Sequence, residues 1–240
     1  MQPNAMKKVY GLLAKPGRLL LLILVIMLTS GKANAQPVLP FPDHIVVLFL
    51  ENHAYSQIIG SDAAPFINTL AMDPGTALFE KSFGIEHPSQ PNYIDFYSGS
   101  NQGVTDNNIP AANPFKTPNL GRQLIDSSFS FATFSEYLPF TGFNEANYEH
   151  YVRKHNPATN WIGSDTNQIP SSVILSFSDF ISMDFNSLPT VCLVMPGQDH
   201  NMHDGEDPAR ILTCDSWIYD NLRSYIEWTI TNNSLLILTF

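Results

Sequence analysis

The sequence predicts an α/β fold, with a mostly parallel sheet sandwiched between helices. Three observations carry that prediction. Short apolar runs rich in β-branched residues recur at 45–50, 190–195 and 235–240, as strands buried on both faces require. Segments with helical apolar spacing separate them, and alternation of the two kinds favours a parallel sheet with helices on its faces. Polar, chemically rich clusters follow the runs directly.

Taken in order, residues 45–50 form the first strand. Residues 63–71 form a helix with Phe66, Ile67 and Leu70 on one face. Residues 77–83 read as a second strand. A short helix starts at Gln90, with Pro91 in its first turn and Gly99 just past its end. A third helix spans 119–126 and another strand 129–134. Residues 139–170 are rich in Asn, Pro and Thr and read as a long irregular excursion, functional or mobile. After the strand at 190–195 comes a long helix over 208–231, with Ile211, Trp217, Ile218, Leu222, Ile226 and Ile230 at helical spacing. The strand at 235–240 is last.

The first 35 residues stand apart. Lys7, Lys8, Lys15 and Arg18 lead into an apolar run over 19–28, and Ala33-Asn34-Ala35 offers small residues for cleavage before Gln36. This is the pattern of a signal peptide over 1–35, so residues 36–240 are expected to be one exported domain, periplasmic or secreted. The other reading is a retained anchor, but the apolar run is short beside the ~20 residues of a spanning helix. No stable membrane anchor is expected after cleavage. Beyond residue 35 remain 7 basic and 22 acidic residues, a net charge of −15. Such a chain lacks the general basic surface that nucleic acid or anionic membrane needs, so no nucleic-acid binding is expected. A phosphorylated substrate would need a local positive feature such as a bound divalent metal ion. Cys192 and Cys214 are the only cysteines. Export permits a disulfide between them, and two buried thiols are the alternative.

In open α/β sheets, sites form beyond the carboxyl ends of the strands. Glu51 and Asn52 follow the first strand, Glu86, His87 and Ser89 the expected second, and residues 198–204 the strand ending at Met195. Each cluster has a plain structural reading as cap or turn. Together they supply hard-cation ligands and a serine at a helix start, the ingredients of metal-assisted phosphate-ester chemistry.

Leu50-Glu51-Asn52-His53, Ala64-Pro65-Phe66-Ile67-Asn68 and His87-Pro88-Ser89-Gln90-Pro91-Asn92-Tyr93 also carry a resemblance. So do Ser98-Gly99-Ser100, Gln102-Gly103-Val104-Thr105-Asp106, Tyr151-Val152-Arg153-Lys154-His155-Asn156-Pro157 and Met202-His203-Asp204. Over residues 43–240 the chain resembles the bacterial phosphoesterase family of acid phosphatases and phospholipase C-like enzymes, within the alkaline-phosphatase superfamily. The resemblance implies an alkaline-phosphatase-like core and a metal-dependent phosphoric-ester hydrolase. Ser89 would be the nucleophile and a phosphoserine the intermediate. Glu51 and Asn52 would ligate a divalent metal, and Asp204 would bind it too or fix a histidine tautomer. Asn92, Lys154 and His155 would hold phosphoryl oxygens, while His87 and His203 would orient water or protonate the leaving oxygen. Members continue past the last strand into an acidic pair and a histidine-bearing segment, so the domain is expected to be C-terminally incomplete. The substrate would be a phosphorylated small molecule or lipid. Alternatives are a phospholipase C-like phosphodiesterase, a non-catalytic phosphate- or glycan-binding protein, and a structural envelope protein.

His44, His53, Asp95 and Asp106 read more simply as structural or surface groups. Trp161, Trp217 and Trp228 read as core or lid packing, with Trp161 a candidate to line an entrance.

Overall fold

Residues 41–240 are described by a computed structural model, and the expected signal peptide lies outside them. The elements are β1 (His44–Phe49), α1 (Tyr55–Ile58), α2 (Pro65–Ala71), α3 (Ser89–Ser98), α4 (Leu120–Asp126), β2 (Phe131–Ser135), β3 (Asn147–Tyr148) and β4 (Tyr151–Val152). Then come β5 (Ile174–Ser176), α5 (Phe177–Ser182), β6 (Val191–Met195), α6 (Ala209–Thr229) and β7 (Ser234–Thr239).

Five strands make one sheet in the order β5-β2-β6-β1-β7, and every pairing in it is parallel. The fold class is therefore the one the sequence predicts. Successive side chains alternate between faces. Val46, Leu48, Ala132, Phe134, Cys192 and Val194 face α2, α5 and α6, where Ile67, Phe180, Ile211, Ile218 and Leu222 complete one core. Val47, Phe49, Phe131, Leu193 and Met195 face the other way, onto Tyr93, Ile94 and Tyr97 of α3 and onto Trp161. Both layers fix the rim where the site forms. The register sets Leu48 of β1 beside Val194 of β6, and Ser135 of β2 beside Met195, so the residues after each strand share one edge.

Helix ends follow their sequence signals. Pro65 opens α2, and Asn119 caps α4 by accepting from the Arg122 N–H. Gly99, left-handed at φ 71°, ends α3. Gly121 permits close packing of α4, since a Cβ there would strike the Tyr97 hydroxyl and the Phe131 ring. The first turn of α2 is capped from far away in the chain. Buried Asp215 on α6 accepts from the N–H groups of Phe66 and Ile67 at 3.0 and 2.8 Å.

Several expectations are corrected. Residues 77–83 form no strand, and Leu78, Phe79 and Phe83 are exposed. The run has strand-like composition but no hydrogen-bonded neighbour, and β-propensity expresses a fit to a sheet rather than a backbone preference. Residues 139–170 are not a loose excursion. They hold the β3–β4 hairpin and 3₁₀ turns at Arg153–His155 and Pro157–Trp161, with Arg153, His155, Asn156, Asn160 and Trp161 buried. Side-chain hydrogen bonds, invisible to apolar periodicity, order this segment. The sequence reading also omitted α1, β5 and α5, all short elements. Cys192 and Cys214 are free, buried thiols, and burial pushes both above their ordinary range. Trp161 packs wholly in the core rather than at an entrance. Among the described residues no helix is long and apolar enough to cross a membrane.

Candidate active site

Glu51 stands two residues beyond β1 with its N–H donating to the Asn201 carbonyl at 2.8 Å. Its carboxylate is buried, 6% exposed, and both oxygens are engaged. The Ser89 hydroxyl donates to Oε2 at 2.9 Å. Tyr93 Oη donates to Oε1 at 3.3 Å, and His155 Nε2 lies 2.9 Å from the same oxygen. Burial alone would raise the Glu51 carboxyl. The contacts with His155 and Ser89, and the charge of Lys154, outweigh it and hold the group at about 2.

Ser89 opens α3, a helix of 10 residues whose first N–H groups lie at its N-terminal end. Two side chains of the same helix fix its approach. Asn92 Oδ1 accepts from the N–H groups of Ile85 and Glu86, and its Nδ2 donates to the carbonyls of Glu86 and Pro88. Gln90 Nε2 donates to the carbonyls of Asp106 and Asn108. Asn92, expected to hold substrate, thus spends its amide on the loop that presents Ser89.

His155 comes from the 3₁₀ turn Arg153–His155 and is 2% exposed. Its ring stacks on Tyr93 with centroids 5.1 Å apart. Burial pushes the imidazole down and Glu51 pulls against it; we take the buried ring as neutral. Lys154 is half-buried, and its charge reaches both Glu51 and His155. His203 stands outside, its ring 6.4 Å from that of His155, with Nδ1 2.8 Å from Asp204 Oδ1.

The structure therefore brings Ser89, Glu51 and His155 into contact and sets Lys154 and His203 nearby. His87 and Asn52 are exposed, and neither side chain has a hydrogen-bond partner among the described residues. Asp204 pairs with His203 and lies 3.7 Å from His150.

For a divalent ion, the Glu51 carboxylate and the Ser89 hydroxyl, 2.9 Å apart, are oxygen donors of the kind a hard cation takes, with Asn52 next in sequence to Glu51. Among the described residues, the group of three acidic or histidine ligands close enough to share an ion lies elsewhere, at Glu136, Asp199 and His200. Glu136 accepts from Gly197 N–H, from Trp217 Nε1 and from His200 Nδ1. Asp199 Oδ2 accepts from Tyr137, while buried Oδ1 has no hydrogen-bond partner and lies 3.7 Å from His200 Nδ1. Two carboxylates and an imidazole suit a borderline divalent ion, and the orphaned oxygen fits one. The sequence reading missed Glu136, although it follows β2 as Glu51 follows β1. It also passed over Tyr93 and Asn201, uncharged residues that only spatial neighbours distinguish.

The chain that carries this arrangement has relatives in sequence. The chain is 37% identical over 207 residues to a phosphatidylinositol-3-phosphatase of Mycobacterium tuberculosis, covering 86% of this chain and 65% of that protein. It is 26% identical over 203 residues to a probable acid phosphatase of Kluyveromyces lactis, covering 81% of this chain and 46% of that one. An acid phosphatase of Aspergillus fumigatus is 27% identical over 227 residues, covering 88% and 48% respectively. The chain thus spans just under two thirds of the first relative's length and about half of the others'. The model of the phosphoesterase family matches residues 61–240, which include α3, β6 and the 198–204 loop of the site, and the chain belongs to that family.

Proposed function

We propose that this domain hydrolyses phosphoric monoesters as an exported, metal-dependent acid-phosphatase-like enzyme, with Ser89 as nucleophile. The observation that carries the reading is the 2.9 Å contact between the Ser89 hydroxyl, at the start of a helix, and the buried carboxylate of Glu51. A carboxylate held at about 2 is a weak base, so Glu51 orients the hydroxyl rather than taking its proton. Glu51 and Asn52 would hold a divalent ion, which when bound supplies positive charge that lowers the hydroxyl's pKa and offsets phosphoryl charge.

The chain's own groups do the rest. The Ser89 hydroxyl gives up its proton to solvent, Oγ forms a bond to phosphorus as the bond to the ester oxygen breaks, and water later cleaves the phosphoserine to free serine and phosphate. His203, its Nδ1 tied to Asp204, is placed to protonate the leaving oxygen through Nε2. Lys154 and the N-terminus of α3 draw the phosphoryl group into a molecule of negative net charge. Export, periplasmic or beyond, belongs to the same reading and rests on the leader pattern of residues 1–35.

A second reading, a lipid-borne monoester, is favoured by one feature. Phe79, Phe83 and Ile85, all exposed, lie in the stretch leading directly to Ser89, and the mycobacterial relative is named for a phosphoinositide. The test measures release of p-nitrophenol from its phosphate, with divalent salts added, and traps phosphate on Ser89 at low pH. Ser89→Ala should lower kcat by about 1,000-fold or more while the protein stays folded. Phosphate binding without any turnover would instead identify a binding protein. Vesicles carrying a phosphoinositide separate the two substrates.

A further inference from the structure

We propose that Asn201 is a positioning residue of this site, one that leaves Nδ1 of His155 bare and its proton on Nε2, facing Glu51. The orientation of the amide follows from its neighbours. Asn201 Oδ1 accepts from the backbone N–H of His203 at 3.0 Å. Only the carbonyl end of an amide can accept, since the reversed group would set two donors against each other. The atom 3.3 Å from His155 Nδ1 is therefore the Nδ2 donor. A donor there requires an unprotonated Nδ1, so the neutral ring carries its proton on Nε2, 2.9 Å from Glu51 Oε1.

Both side chains are buried, Asn201 at 1% and His155 at 2% exposure. The main chain of Asn201 works on the same site, its carbonyl accepting from the Glu51 N–H at 2.8 Å and its own N–H donating to Gly197 at 2.9 Å. One residue thus holds the main chain of Glu51 by its backbone and the imidazole of His155 by its side chain. As a consequence, His155 keeps its proton on the Glu51 side, where Nε2 lies 2.9 Å from Oε1 without a formed hydrogen bond, and the ring cannot act as a base toward Ser89 or water. Its importance for turnover rests on the function proposed above, but the position of the proton does not.

The test is NMR of protein labelled with ¹⁵N in histidine and asparagine, at about pH 9, above the ordinary imidazole range, with a chelator and no substrate. Wild type should show a pyrrole-like Nε2 and a pyridine-like Nδ1 for His155. In Asn201→Asp a carboxylate oxygen replaces the donor, and Nδ1 should gain a proton and become pyrrole-like. With p-nitrophenyl phosphate and added divalent salts, kcat of that variant should fall by about 10-fold or more. A protonated Nδ1 in wild type, or a bare Nδ1 in folded Asn201→Asp, overturns the proposal. Should the variant fail to fold, wild type decides. A scalar coupling across the bond from Asn201 Nδ2 to His155 Nδ1 supports the proposal, and its absence overturns it. Because no substrate enters the spectrum, this result stands apart from the fate of Ser89→Ala.

Discussion

At Glu51 two opposing effects meet: burial favours the neutral acid, while His155, the Ser89 hydroxyl and the charge of Lys154 favour the anion. The anion prevails, so Glu51→Gln tests charge at nearly constant shape. It should lower kcat/KM on a phosphomonoester by about 100-fold or more, the scale of losing an aligned electrostatic partner. The melting temperature at neutral pH should fall too, because a carboxyl held below its ordinary range contributes stability as the anion. Steady-state kinetics and thermal melts on the same sample check both halves. The candidacy of Glu51 was legible from its place after an apolar strand. Its meeting with Ser89, 38 residues further along the chain, was expected from the shared rim, whereas its contacts with Tyr93 and His155 depend on packing that no local pattern shows. Asn92 shows the converse: its amide type suggested phosphate contact, whereas its neighbours turn it toward the backbone of its own loop.

Among the elements, the segment 144–160 shows how a stretch without apolar periodicity becomes rigid. The buried Arg153 guanidinium donates to Asn144 Oδ1 at 2.7 Å, to Asn160 and Asn113 Oδ1 at 2.8 Å each, and to the Thr159 carbonyl at 3.1 Å. Arg153→Met would leave the buried acceptors of Asn160 and Thr159 unpaired, along with the half-buried ones of Asn144 and Asn113. It should cost about 3 kcal/mol in urea unfolding, and lower activity with it, since His155 sits in the same turn. Asp215 caps α2 from α6, so Asp215→Ala should lower stability by about 1–2 kcal/mol in the same assay. A third link joins the loop after β1 to the start of α6. Asp207 accepts from Arg210 Nε at 2.6 Å and from His53 Nε2 at 3.0 Å, and these bonds hold its carboxyl at about 2. A carboxyl lowered on folding contributes stability above its unfolded range, near 4, and that contribution is lost as pH falls toward 2. Asp207→Asn should therefore melt below wild type at neutral pH, with the gap closing through that interval. A gap independent of pH would exclude this role.

For the molecule as a whole, the strand order puts β2, β6 and β1 inside and β5 and β7 at the edges. β6 is buried throughout, whereas Leu235 and Ile237 of β7 are each 43% exposed. An apolar edge of this kind attracts other apolar surfaces. Ile237→Lys should reduce binding of the dye ANS to the native protein without lowering hydrolysis. Local pattern was enough for most of this architecture: β1, β2, β6 and β7, the helices α2, α3, α4 and α6, and the parallel class they compose. Strand and helix periods are properties of near neighbours, and so are caps such as Asn119 and Gly99. Long-range packing alone decided that residues 77–83 stay out of the sheet and that 151–160 is largely buried. It also set the ionisation of Glu51, the tautomer of His155 and the gathering of Glu136, Asp199 and His200. Those outcomes depend on pairing partners, burial and the direction of hydrogen bonds between residues far apart in the chain, which exist only once the sheet has closed its register.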